Sequence, residues 1–100
     1  MTYEVGKNGE MLNNKEVDIM ELKDTIKLME SENFKDRFRA EYYQLKIRRD
    51  KLDTMLYKME NGDLSFKPKC SYELLRAQCR AMSSYLLLLE DRAKIEGIKL

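Results

Sequence analysis

Four arginines and two tyrosines are the side chains of this sequence best equipped to meet a ligand. Arg48 and Arg49 stand together within Lys46-Ile47-Arg48-Arg49-Asp50-Lys51, and Arg76 and Arg80 lie four residues apart, one turn on a helix. A guanidinium presents a planar fork of N–H donors that matches two phosphate oxygens at once, so these pairs read as anion clamps. Tyr43 and Tyr57 fall off the main apolar stripe, where an exposed ring can stack on a base. Rings beside arginine forks suit a nucleotide pocket, and they suit a protein interface equally well. The plainer alternatives are that Arg49 lays its stem over the core and pairs with an acid, and that striped tyrosines are packing residues.

The remaining chemistry is sparse. The chain has no His and two Cys, Cys70 and Cys79. A thiol nucleophile would lack an imidazole base, and a zinc site would have to substitute carboxylates for its usual ligands. No phosphate-binding Gly loop, HExxH or CxxC occurs. The carboxylates alternate with Lys and Arg as on solvated helix faces. The expectation is a non-enzymatic protein with no cofactor and no metal.

Nine residues separate the two Cys along one helix, which disfavours a mutual disulfide and fits two reduced thiols in a cytosolic protein. The first residues, MTYEVGKNGE, lack the basic-then-apolar layout of a signal peptide. The longest apolar run, Tyr85 to Leu89, is far too short to cross a bilayer. No membrane partner is expected.

Charge is divided along the chain. Residues 1–32 hold four Lys and eight Asp or Glu; the rest holds the other 15 Lys or Arg and 10 Asp or Glu, so a net −4 segment precedes a net +5 one. A surplus of this size attracts small anions but lacks the clustered stripe of a duplex-binding protein, so duplex nucleic acid is disfavoured.

The elements that must position these side chains are helices. Residues 1–13, with Gly6, Asn8, Gly9 and Asn13, read as a flexible arm. Residues 14–31 read as an amphipathic helix capped by Asn14, with Ile19, Leu22, Ile26 and Met29 on its stripe. Residues 32–100 read as a helical hairpin. Its first helix starts near Phe34, with Asn33 and Asp36 as a capping box, and carries Phe34, Phe38, Tyr42, Leu45, Leu52, Leu56 and Met59 at spacings of three or four, with Arg49 on the same stripe. Asn61-Gly62 ends that helix, and Pro68 keeps the connection non-helical. Ser71, or Cys70, caps the second helix, whose inner stripe is read as Leu74, Leu75, Gln78, Met82, Tyr85, Leu86, Leu89 and Ala93, ending at Gly97.

The fold class is therefore all-α: a long antiparallel hairpin plus a shorter N-terminal helix. Equal lengths bring Glu90 opposite Tyr42 and place Arg76 and Arg80 near residues 52–56. A hairpin buries little of its own surface, and Tyr85-Leu86-Leu87-Leu88-Leu89 spreads apolar side chains around most of one helix. A homo-oligomer is expected, with Tyr85, Leu87 and Leu88 at the interface. The N-terminal helix is the other candidate cover for that helix.

The runs Glu32-Asn33-Phe34-Lys35-Asp36-Arg37-Phe38, Ala40-Glu41-Tyr42-Tyr43-Gln44-Leu45-Lys46, Tyr72-Glu73-Leu74-Leu75 and Leu89-Glu90-Asp91-Arg92-Ala93-Lys94-Ile95-Glu96-Gly97, with Gln78, Ala81-Met82 and Tyr85-Leu86 between, resemble the short uncharacterised helical proteins of tailed and crAss-like phages. The likeness spans residues 32–100. It implies a phage accessory protein made in the host cytoplasm. The layout is also similar, as fold-level analogy, to the anti-CBASS sponges that sequester cyclic-nucleotide alarm signals. The expected function is counter-defence by an oligomeric sponge, with Arg48, Arg49, Arg76 and Arg80 on phosphate and Tyr43 or Tyr57 on a base. The alternatives are a protein-binding inhibitor of a host defence effector, of the anti-CRISPR kind, and a virion or packaging adaptor.

Overall fold

Two helices of nearly equal length define the molecule. The computed structural model describes residues 20–100. A 3-10 turn, Leu22–Thr25, runs into a short helix α1, Ile26–Met29; helix α2 spans Phe34–Glu60 and helix α3 spans Tyr72–Glu96. No strand occurs among the described residues. The N-terminal arm and the Asn14 cap lie outside the described residues.

Local chemistry explains the helix ends. The Asn33 side chain accepts the Lys35 N–H at 2.8 Å. Asp36 does not complete the expected capping box. The Asn33 N–H instead donates to the Ser31 hydroxyl at 3.0 Å, which donates to Asp36 at 2.8 Å, so a serine relay replaces the direct return bond. Gly62, at φ 72°, follows the α2 terminus, and Ser71 caps α3 by accepting the Leu74 N–H at 3.1 Å. Gly97, at φ 71°, ends α3 in the left-handed conformation, and the Ile98 N–H reaches back to the Ala93 carbonyl at 2.8 Å. That wrap seats Ile98 with Phe38, Leu89 and Ala93 in one buried cluster, a contact the sequence reading omitted.

The helices pair antiparallel without slippage. Tyr72 meets Glu60, Cys79 approaches Asp53, Ser83 meets Arg49 and Glu90 meets Tyr42. Successive steps are seven, four and seven residues on α3 and the same on α2. Tyr42 donates to Glu90 at 2.6 Å, as the equal-length pairing requires.

The rotation of α3 differs from expectation. Its buried face carries Cys79, Leu86, Leu89 and Ala93, with Leu75 and Met82 half-buried. Leu74, Gln78 and Tyr85 are exposed instead. Apolar side chains surround most of this helix, so two phases satisfied the three-and-four spacing. Only the stripe with Cys79 matches the register of the polar contacts.

The described part of the N-terminal segment, residues 20–33, packs on α2 and makes no element contact with α3. Thr25, not the Ile26 and Met29 stripe, is its buried residue; Ile26 and Met29 are exposed. The 3-10 turn advances about 120° per residue, which places Leu22 and Thr25 on one face. The Thr25 hydroxyl donates to the Leu22 carbonyl at 2.7 Å and accepts from the Gln44 amide at 2.8 Å. Tyr43 and Ala40 share this side of α2, roughly opposite the stripe that faces α3, and both are buried.

Candidate functional site

The four arginines separate into two kinds. Arg49 turns into the hairpin, its Nε donating to Asp50 at 2.8 Å and its Nη1 to the Ser83 hydroxyl at 3.0 Å. Arg76 is held still more fully: Nη1 meets Asp53 at 3.2 Å, Nη2 meets Glu60 at 2.8 Å and Nε donates to the Tyr72 hydroxyl at 3.2 Å. Its guanidinium carbon lies 5.5 Å from the Tyr72 ring centroid. Hydrogen bonds from Tyr72 and Arg76 hold the Glu60 carboxyl below the usual range. These forks grip carboxylates of the protein itself. Arg48 and Arg80 are exposed and make no ion pair among the described residues.

The candidate stacking rings also part. Tyr43 is 5% exposed, buried where the N-terminal segment covers α2, and burial raises its phenol pKa. A base cannot reach it in this arrangement. Tyr57 is 65% exposed, but it lies on the opposite side of α2 from Arg48. These two do not form one site.

Arg48 instead joins residues that the sequence reading passed over. Arg37, Glu41, Gln44 and Arg48 recur at four, three and four residues, so they share one face of α2. That face lies between the flank covered by α1 and the flank covered by α3. There an open groove of about 420 Å³ is floored by Ala40, Gln44 and Leu45, walled by Met29 of α1 and Tyr85 of α3, and edged by Arg37, Glu41 and Arg48. The signal was the ordinary helical period applied to polar residues.

Each wall is tied to the floor. Arg37 donates to the Ser31 carbonyl at 2.7 Å, Gln44 to Thr25, and the Tyr85 hydroxyl to Glu41. The hydrogen bond to the Glu41 carboxylate raises the Tyr85 phenol pKa. Arg48 is the exception, a cation at the groove edge in no ion pair among the described residues. The groove combines an apolar floor with a few polar groups, in the size range of small-molecule sites. Tyr85 therefore lines a groove, while Leu87 and Leu88 project into solvent.

No described helix is long and apolar enough to cross a membrane, and no group of three metal-ligating side chains assembles among the described residues. A family model described as Sequestin matches residues 32–95. The chain belongs to the Sequestin family. The match includes all of α2 and nearly all of α3, and thus both the paired arginines and the groove floor. Met29 and Ile98 lie outside it. No curated protein matches the chain, and no solved structure does.

Proposed function

We propose that this Sequestin-family chain is a non-enzymatic phage counter-defence protein that binds and withholds a nucleotide-type immune signal in the host cytoplasm. The observation that carries the reading is the groove itself, with Arg48 at its edge inside the matched span and in no ion pair among the described residues. A family named for sequestration supports binding as the outcome. Arg48, with the Arg37 guanidinium N–H groups that do not bond Ser31, would hold phosphate, Tyr85 would lie along a base, and the Ala40 and Leu45 floor would take its apolar edge. Arg49 and Arg76 serve the hairpin in this reading. The anchoring differs from the four-arginine clamp because two of those forks are already filled.

Calorimetry and thermal shift against cyclic di- and trinucleotides, ADP-ribose derivatives and inorganic phosphate test it. The expected result is saturable binding of at least one nucleotide, recovered chemically intact, with affinity reduced about tenfold or more in Arg48→Ala, the scale of a lost charge-assisted hydrogen bond. Absence of binding across that panel, or binding indifferent to Arg48→Ala, would overturn the assignment.

A further inference from the structure

We propose that the outer face of α3 is a self-association seam on which the α3 helix of a second copy lies antiparallel. Leu74, Ala81, Leu88 and Ile95 recur at seven-residue intervals, with Ala77 and Ser84 three residues after the first two. All six are exposed, Leu74 at 59%, Leu88 at 63% and Ile95 at 85%. This row lies away from the buried Cys79, Leu86, Leu89 and Ala93 face, so among the described residues it serves neither the hairpin nor the Leu22–Met29 elements. A seven-residue repeat of apolar and small side chains is the geometry by which helices pair through a continuous seam.

Charge selects the second copy and its direction. Glu73 and Lys94 flank the seam on the same side, are exposed, and make no ion pair among the described residues. They stand 21 residues apart, about 31 Å along one helix, so they cannot meet within a chain. In an antiparallel pair, Glu73 meets the partner's Lys94 and Lys94 meets the partner's Glu73. The same alignment sets Leu88 against the partner's Ala77, Ala81 against the partner's Ser84, and Leu87 along the partner's Arg80 stem. Small residues at the middle allow close approach. A parallel pair gains no such charges and stacks Asp91 against its own copy within the seam. In the antiparallel register Asp91 faces the partner's Leu74 in the first turn of the partner's α3, where a negative charge is favoured, and Ile95 reaches past the start of that helix.

The seam stands independently of the nucleotide reading, although it brings the partner's Gln78 beside Tyr85 at the groove. Sedimentation and light scattering of the full chain without ligand are expected to give twice the 11.9 kDa chain mass. Leu88→Glu is expected to return it to the chain mass with the helical circular dichroism signal retained. Glu73→Lys and Lys94→Glu are each expected to weaken the dimer about tenfold, since each replaces two attractions by two repulsions. The double variant is expected to recover wild-type affinity. A monomer at every concentration, a dimer indifferent to Leu88→Glu, or a double variant no tighter than the singles would overturn the proposal.

Discussion

Along one edge of the hairpin, arginines meet acids and hydroxyls of the facing helix; along the other, they border an open groove. The closed edge contains Tyr72 and Arg76 with Glu60 and Asp53, Arg49 with Ser83, and Tyr42 with Glu90. The groove edge contains Arg37 and Arg48 around Ala40 and Leu45. The same residue type thus serves two purposes, and the deciding variable is whether an acid of the antiparallel partner stands at the matching step. Asp53 and Glu60 stand opposite Arg76, whereas no acid of α3 is paired with Arg48 among the described residues.

The largest expected effect lies beneath both edges. Leu89 is 1% exposed at the helix seam, and Leu89→Ala is expected to cost about 2–5 kcal/mol in urea unfolding, the range for a core truncation left as a cavity. A loss much smaller than this would mean that the edges, rather than the buried stripe, hold the helices together. Next comes a direct exchange between the edges. Arg76→Ala is expected to lower the thermal midpoint and leave ligand binding intact, while Arg48→Ala does the reverse. Equal effects on both properties would erase the distinction.

The smallest effect isolates one rung. Tyr42→Phe removes the hydrogen bond to Glu90 and is expected to cost about 1 kcal/mol at neutral pH. Burial and then the Glu90 bond raise the Tyr42 phenol pKa, so the folded state holds this proton more tightly than the unfolded chain. The contribution is complete below about pH 10 and is lost as pH rises above it. The variant should therefore lose less stability than the wild type on alkaline titration, read from urea midpoints. Glu60 has the opposite sign. Its lowered pKa adds stability above about pH 4.3 that disappears as pH falls, and Glu60→Gln should flatten this acid limb.

Much of the closed edge was legible beforehand because it follows from matched helix lengths. Once Phe34 to Glu60 and Tyr72 to Glu96 pair end to end, Tyr42 must meet Glu90 and Arg76 must fall near Asp53. The groove was less legible because its walls come from Met29 and Tyr85, distant in sequence, on either side of a polar α2 face. The exposure expected for Tyr43 was reversed for a related reason: the described N-terminal residues, Leu22 to Met29, fold over α2 rather than α3. Leaving the main stripe did not expose that ring, since α2 is covered on two sides.

By itself the sequence determined two helices of nearly equal length, the cap at Asn33 and one at Ser71 or Cys70, the endings at Gly62 and Gly97, and the antiparallel register, because each depends on bonds within a few residues or on length alone. Tertiary structure alone decided which stripe of α3 turns inward, which arginines are consumed, and where residues 20–33 lie. A helix apolar on most sides has several acceptable rotations, and an arginine commits only when a distant carboxylate arrives. Those outcomes depend on the facing surface, which local spacing does not encode.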